Sequence, residues 1–254
     1  MMEHLPVDLH LHSIASGHAF NTIDEITHFA QTSGYDVIGI SDHGPKMEGA
    51  PHSGYFEMLY RLPRKVGNTQ VLYGCEANIL DEYGNLDLPD SLIQTLDYVI
   101  AGLHSRTPYQ GRTVAEHTQA IVSAICSGRV DIISHPVSFN FLTDTKEIVH
   151  CAAKHHVILE VNKTIMLEAI RKNREDVLTS SVALFSEAQA MGVPLLFGSD
   201  AHHISEMGLA RDEIYLIESI YQLNLRGIIN THPDLLQQFL QKHKMIREGI
   251  ANGT

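Results

Sequence analysis

Short apolar runs alternate along the chain with longer segments whose apolar positions recur at a helical period. The runs are "VDLHLH", "VIGISDH", "VLYGCEAN", "YVIAGLH", "DIISH", "VILEVN" and "PLLFGSDAH". Seven strands separated by helices are typical of strand–helix units repeated around a parallel sheet. We therefore predict an α/β barrel in one domain over residues 1–254, with two closing helices over about residues 212–245.

Local signals predict where several helices begin and end. Three pairs place an oxygen acceptor three residues before a carboxylate, the spacing of a helix-capping box: Thr22 with Glu25, Thr113 with Glu116, and Asp144 with Glu147. Gly34 and Gly128 follow helical segments and predict their ends. Residues 44–53 are rich in glycine and proline and predict an irregular loop.

Polar residues follow a second pattern, because all seven runs carry a histidine, a carboxylate or both within their last three residues. In "VDLHLHS", Asp8, His10 and His12 share one face of the strand, since side chains two residues apart project to the same side. Histidine, aspartate and glutamate together make up fewer than one in five residues, so chance does not explain the pattern. The carboxyl ends of barrel strands gather at one mouth, where we expect these groups to meet.

Imidazole and carboxylate groups without cysteine suit Zn²⁺, Mn²⁺ or Fe²⁺ at catalytic sites, which keep one coordination position open. Burial of so many polar groups without a cation would carry a large desolvation cost. Glu76, on a middle strand, is a natural bridge between two cations because its two oxygens can each meet one. Spacing alone leaves open which histidine goes with which ion.

Composition narrows the classes of partner. The chain carries 30 acidic and 18 basic residues, a formal charge of −12, which disfavours binding to the phosphate backbone of a nucleic acid. No run approaches the ~18 apolar residues of a membrane span, and the first residues lack the apolar core of a signal peptide. We expect a cytoplasmic protein. Its three cysteines are far apart in sequence and are expected to be reduced core residues, with neither a disulfide nor a thiolate zinc site indicated.

The ordered motifs resemble those of a known family. "DLHLHS" followed by His18, then "SDHG", "GCEAN", "GLHS", "ISHP" and "GSDAH" are similar to the signature of the PHP (polymerase and histidinol phosphatase) family, in its stand-alone bacterial phosphoesterase branch. The resemblance extends from about residue 7 to residue 202. It implies a distorted TIM-like (β/α)7 barrel with three divalent metal ions at the C-terminal ends of the strands, usually zinc, with manganese or iron as alternatives. It also implies a possible homo-oligomer, a trimer.

The resemblance also implies a set of ligands. One ion would be held by His10, His12, Glu76 and Asp200. Glu76 would bridge to a second ion held by His104 and His135, and His18, His43 and His202 would hold the third. All nine family positions are filled in this sequence.

Three divalent cations would make the cleft positive and attractive to phosphate. Metals in such sites lower the pKa of a bound water from ~15.7 toward ~7, which makes hydroxide available at neutral pH. We therefore predict hydrolysis of small phosphomonoesters by a metal-bridging hydroxide, with Glu76 and Asp200 as the carboxylates that hold the ions around it. The chain has no Gly-x-Ser-x-Gly nucleophile motif.

Several other residues each allow two interpretations of their role. Arg106 and Lys163 follow strand ends and could bind the substrate phosphate, or be exposed loop cations. His52 could belong to a loop that covers the cleft, or lie on the surface. Asp42 could fix an imidazole tautomer or serve as a turn residue, and Glu160, which has no metal role in the family pattern, could contact a ligand or the substrate.

Three alternatives stay open at this point. A histidinol phosphatase or a protein-tyrosine phosphatase of the same family would use similar chemistry. An amidohydrolase barrel also begins with His-x-His and ends with an aspartate, but it often bridges its metals with a lysine where this chain has Glu76. The non-enzymatic alternative is a metal-binding module that recognises a partner.

Overall fold

A single sheet forms the centre of the computed structural model, which describes residues 5–251. Its strands are β1 (Val7–Leu11), β2 (Val37–Ile40), β3 (Lys65–Val66), β4 (Thr69–Asn78), β5 (Tyr98–Gly102), β6 (Ile132–Ile133), β7 (Ile158–Asn162) and β8 (Leu195–Gly198). All but β3 pair in parallel in chain order, and β3 pairs antiparallel with the start of β4. The seven predicted strands are all present, and β3 is an addition that the apolar pattern did not predict.

Helices cover the outside of this sheet. They are α1 (Ile23–Ser33), α2 (Ser53–Met58), α3 (Asp90–Ile93), α4 (Val114–Cys126), α5 (Thr145–His155), α6 (Lys163–Lys172), α7 (Glu175–Met191), α8 (Arg211–Tyr221) and α9 (Pro233–Ala251). The capping boxes at Thr22 and Thr113 form as predicted, and α1 ends at Gly34 in the left-handed conformation. At Asp144 only the side-chain acceptor half of the box forms, with Oδ1 accepting from the Glu147 amide at 3.1 Å. Among the described residues, none of these helices combines the length and apolar character needed to cross a membrane.

The closing helices differ in extent from the prediction. The last one, α9, continues beyond residue 245 to residue 251. Its extension is stabilised by Arg247, which is buried and pairs with the buried carboxylate of Asp131 just before β6. Leu236 and Leu240 of the same helix join the apolar cluster inside the barrel. The helix therefore closes the end of the barrel opposite the carboxyl ends of the strands.

The sheet closes into a barrel along a seam between β1 and β8. One parallel bridge joins Leu11 to Ala201, and the His12 amide donates to the Ala201 carbonyl at 3.0 Å. Further down the seam, the buried side chain of Asn230 accepts from the Phe197 amide at 2.7 Å and donates to the Val7 carbonyl at 2.9 Å. A side-chain amide thus supplies hydrogen bonds where a regular strand ladder is missing.

Candidate metal centre

Glu76 lies at the carboxyl end of β4 and is the centre of a cluster of imidazoles. Its side chain is 1% exposed, so its charge has little contact with solvent. Five imidazole nitrogens lie within 3.5 Å of its two oxygens: those of His10, His12, His43, His104 and His135. The parallel strands bring these side chains together because their carboxyl ends meet at one mouth.

Several polar atoms in this cluster lack a hydrogen-bond partner among the described residues. They are Nε2 of His10, Nε2 of His12, Nδ1 of His43 and Oε2 of Glu76. Nδ1 of His43 lies only 2.9 Å from a Glu76 oxygen, but the two atoms do not have hydrogen-bond geometry. Unpaired buried lone pairs are costly, and coordination to a cation would satisfy them together. The donor set therefore fits a divalent metal with nitrogen and oxygen ligands.

A second group of histidines lies beside the first. The ring of His18 stacks on that of His43 at 5.0 Å and on that of His202 at 4.8 Å. The ring of His12 lies 4.3 Å from His43 and 4.4 Å from His202. The imidazoles of the β1 end, the loop after β1, the β2 end and the β8 end thus form one continuous group.

Asp200 joins both parts of the cluster. Its Oδ1 lies 3.2 Å from Nε2 of His12, 3.5 Å from Nε2 of His10 and 3.7 Å from Nδ1 of His202. All nine residues that the resemblance implies are therefore brought together in space.

The groupings of ligand atoms overlap with the implied partition without reproducing it. Ligand atoms lie within 4.8 Å of one another in three sets: His10, His12 and Glu76; His43, Glu76 and His104; and His12, His43 and His202. The first set agrees with the implied first ion. In the second, His43 stands with Glu76 and His104, because its Nδ1 lies 2.9 Å from Oε2 of Glu76.

Two carboxylates outside the implied ligand set contact histidines of that set, one directly and one through a serine. Glu160 Oε1 lies 2.5 Å from Nδ1 of His10, and its Oε2 accepts from the His135 amide at 2.8 Å. A carboxylate on the second nitrogen of a histidine fixes its tautomer and leaves the other nitrogen free for a metal. Of the two interpretations open for Glu160, the structure favours contact with proposed ligands, His10 and His135.

Asp42 acts on His12 through a serine. Its carboxylate accepts from Ser13 Oγ at 2.8 Å and from Ser16 Oγ at 2.7 Å. Ser16 Oγ in turn lies 2.9 Å from Nδ1 of His12. Tyr55 of α2 donates its hydroxyl to the same carboxylate at 2.5 Å. Asp42 therefore organises the loop after β1 and, through Ser16, orients the proposed ligand His12.

Ser16 and Tyr55 were not singled out from the sequence. Ser16 had a weak signal, since it lies four residues after His12 in a short polar loop. Tyr55 had none, because α2 follows the predicted irregular loop and its position depends on the tertiary fold. His52 caps this helix, with Nδ1 accepting from the Gly54 amide at 3.1 Å, and its side chain is exposed.

Two proposed ligands have a strained backbone. His135 and Asp200 have φ angles of 29° and 55°, in a region that favours glycine. Such residues cluster at functional sites, where surrounding contacts offset a cost of about 1–3 kcal/mol. At His135 the hydrogen bond from its amide to Glu160 is one such contact.

The charges of the cluster act on one another's pKa values. Burial raises the pKa of Glu76, but His10 and His104 outweigh it and hold that pKa well below its ordinary value. Burial, together with the charge of His43, holds the pKa of His12 well below its ordinary value. Burial also lowers the pKa of His18, with His43 adding to the effect. Deprotonated imidazole nitrogens and an ionised carboxylate are the forms that bind metals.

The two predicted phosphate-binding cations lie in different settings. Arg106 is exposed, two residues after His104, and its φ is 65°. Lys163 is buried, and its Nζ donates to the carbonyls of Glu206 at 3.0 Å and Gly208 at 2.8 Å. The Lys163 amino group also pairs with a carboxylate of α8 at 3.3 Å. These contacts leave Lys163 with a structural role, and only Arg106 is free to meet a ligand.

Comparisons with known proteins agree with this arrangement. The PHP domain family matches residues 8–246. A probable phosphatase of Caldanaerobacter subterraneus subsp. tengcongensis is 37% identical over 246 residues, covering 96% of this chain and 95% of the relative. The probable phosphatase YcdX of Shigella flexneri is 36% identical over 240 residues, covering 94% of this chain and 96% of the relative.

A solved structure shows a similar fold at lower identity. Histidinol phosphate phosphatase from Lactococcus lactis, crystallised with zinc, L-histidinol and phosphate, superposes with a TM-score of 0.60 at 15% identity. The match covers 87% of this chain and 94% of that one, which confirms the predicted TIM-like barrel. The family match over nearly the whole chain confirms the resemblance noted from the motifs. The chain belongs to the PHP domain family.

Proposed function

We propose that this protein is a metal-dependent phosphatase that hydrolyses small phosphomonoesters at the carboxyl end of its barrel. The observation that carries the proposal is the convergence of unpaired buried nitrogen and oxygen atoms on Glu76. The relatives named probable phosphatases support the same reaction class.

We propose three divalent cations, most consistent with zinc, held by the nine clustered residues. Imidazole with carboxylate ligands is a set that zinc, manganese and iron all accept. Glu76 is the proposed bridge because each of its oxygens faces a different group of imidazoles. Asp200 would complete the ligands on the β1 and β8 side, where it lies between His10 and His12.

When bound, the cations would lower the pKa of water and neutralise charge on the phosphate group. The residues of the chain would fix the ligand geometry and shield it from solvent. The thiol of Cys75, next to Glu76 in sequence, is fully buried, and burial raises its pKa well above the ordinary value. A protonated, buried thiol is a poor nucleophile, which favours attack by water over a covalent cysteinyl intermediate.

We assign Arg106 to the substrate phosphate. It lies on the loop after β5, close in sequence to the proposed ligand His104, and among the described residues its guanidinium makes no ion pair. Arginine matches the geometry of phosphate oxygens with two parallel hydrogen bonds. The formal charge of −12 over the whole chain also favours a small substrate over a polymer such as nucleic acid.

The test combines metal analysis with hydrolysis assays on the full-length protein. We expect bound divalent metal in the purified protein and cleavage of para-nitrophenyl phosphate that is lost on chelation and restored by zinc or manganese. Glu76→Gln should abolish both metal retention and activity. His150→Gln, a change at an exposed histidine on α5 that contacts Glu187, is the matched control and should retain both.

A panel of phosphate esters, including histidinol phosphate and phosphotyrosine, would then rank the substrates. Full activity after complete metal removal would overturn the proposal. So would a metal-loaded, folded protein that hydrolyses none of the esters, which would favour a binding module instead.

A further inference from the structure

Two cysteines that are 25 residues apart in sequence meet on the outer helical layer. Cys126 is the last residue of α4, and Cys151 lies on α5. Their sulfurs are 3.6 Å apart, and the Nε2 atom of His155 lies 3.6 Å from the sulfur of Cys126. The expectation of three core cysteines holds for Cys75 and is wrong for Cys126, which is exposed.

We propose that Cys126, Cys151 and His155 form a second metal site, for a thiophilic cation such as Zn²⁺. The three ligand atoms all lie within 4.8 Å of one another. Two thiolates and one imidazole, with the fourth position open to water, are a ligand set that zinc accepts. This site is separate from the metal centre on Glu76 and does not depend on the proposed phosphatase activity.

The distances fit a tetrahedral ion. With Zn–S bonds of ~2.3 Å and Zn–N bonds of ~2.0–2.1 Å, tetrahedral angles require about 3.8 Å between two sulfurs and about 3.6 Å between sulfur and nitrogen. The observed separations are 3.6 Å in both cases. A disulfide would need its sulfurs at ~2.05 Å and would have no use for the imidazole.

The backbone holds these ligands in place without a metal. Cys151 and His155 are four residues apart on α5 and so lie on the same face of that helix. Ala124, two residues before Cys126 on α4, and Ala152, directly after Cys151 on α5, are fully buried in the same apolar cluster. Cys126 is exposed, while Cys151 and His155 are partly buried, so an ion can enter from solvent.

The test uses Cd²⁺ as a probe on full-length protein loaded with Zn²⁺, because Cd²⁺ binds thiolates more tightly and displaces Zn²⁺ from a site that contains sulfur. Thiolate-to-cadmium charge transfer absorbs in the near ultraviolet, and the proposed ligands on Glu76 and its neighbours contain no sulfur, so the signal reports this site alone. We expect one equivalent of Cd²⁺ to release one equivalent of Zn²⁺ and to saturate the absorption. Cys126→Ser should remove it, and His155→Gln should weaken binding by about tenfold or more.

Two variants serve as controls. Cys75→Ala removes the remaining cysteine, and His150→Gln removes a neighbouring histidine that contacts Glu187; both should keep the absorption. Because Cys126 is exposed, its serine variant should keep the wild-type melting temperature. As a second readout, Zn²⁺ should protect Cys126 from alkylation by iodoacetamide in the wild type and not in His155→Gln.

Absence of the absorption in the wild type, or its persistence in Cys126→Ser, would overturn the proposal. Loss of two hydrogens by mass spectrometry in place of metal uptake would also overturn it, since the pair would then be a disulfide. Uptake of Cd²⁺ at this site without release of Zn²⁺ would exclude zinc as its bound ion.

Discussion

Glu160 Oε1 lies 2.5 Å from Nδ1 of His10, with both side chains excluded from solvent. This contact joins the end of β7 to a proposed ligand on β1, on the far side of the seam. Burial opposes protonation of His10, but Glu160 and Glu76 outweigh it and raise its pKa well above the ordinary value. The two carboxylates thus favour positive charge at this imidazole, and a metal cation bound at Nε2 would supply it.

Replacement of Glu160 by glutamine should weaken metal binding while leaving all nine proposed ligands in place. Loss of a carboxylate partner behind a ligand histidine costs roughly 10–100-fold in metal affinity. Isothermal titration with Zn²⁺ would measure the change, and Glu187→Gln, at a carboxylate that contacts His150 on the helical layer, is the control. Unchanged affinity in Glu160→Gln would show that Glu160 has no part in positioning His10.

Removal of the hydrogen bonds that Asp42 accepts should loosen the loop after β1 in graded steps. Tyr55→Phe deletes one hydrogen bond to a charged group, which is worth about 1.5–3 kcal/mol. Asp42→Asn should cost more, because an amide cannot accept from the hydroxyls of Ser13, Ser16 and Tyr55 together. Chemical denaturation of metal-free protein measures both. Equal stabilities of the two variants would contradict the shared role assigned to this carboxylate.

Arg106 and Lys163 should behave differently when their charges are removed. Arg106→Gln should raise KM for a phosphate ester by about tenfold, the loss of one charge-assisted hydrogen bond, at an unchanged melting temperature. Lys163→Met should lower the melting temperature, because the carbonyls of Glu206 and Gly208 lose their donor. Its KM should stay near the wild-type value. A raised KM in Lys163→Met at unchanged stability would reverse these assignments.

Arg247→Met should destabilise the barrel at the end remote from the metal centre. It leaves the Asp131 carboxylate buried and without its main counter-charge, and breaking a buried pair on one side costs about 3–5 kcal/mol. The double variant Asp131→Asn with Arg247→Met should recover much of this loss. Denaturant unfolding tests both variants, and metal content should stay at the wild-type level. A single variant as stable as the wild type would show that α9 contributes little to closing the barrel.

The alternation of apolar runs with helical segments predicted the barrel. The polar residues near the end of each run predicted that they meet at its mouth. Glu76 and the histidines at strand ends could be found this way, since metal ligands belong to a few residue types. His18 lies in the loop after β1 and was predicted only from the family resemblance. The contacts that hold these side chains in position could not be predicted from the sequence. Ser16 reaches His12 because a short 3₁₀ helix turns the loop back, and Tyr55 reaches Asp42 from a helix that the loop composition concealed.

Contacts between side chains on separate helices could not be predicted from the sequence either. Cys126 and Cys151 lie on α4 and α5, so their proximity depends on how those helices pack. Lys163 follows a strand end as a phosphate-binding residue would, and only the fold shows that its amino group faces carbonyls of the segment before α8. Spacing along the chain carries no information about either contact.

Proposed ligands lie on both sides of the seam between β1 and β8. His10 and His12 come from one side, and Asp200 and His202 from the other. One bridge, the Asn230 amide and a hydrogen bond from the Ser199 amide to Asp8 Oδ1 connect the two strands. A cation shared by His12 and Asp200 would therefore link β1 to β8 across this seam, where few backbone hydrogen bonds connect the strands. Amide protons along β1 and β8 would then exchange with deuterium more slowly in the loaded protein, and those of β4 and β5, which share a full ladder, would change least.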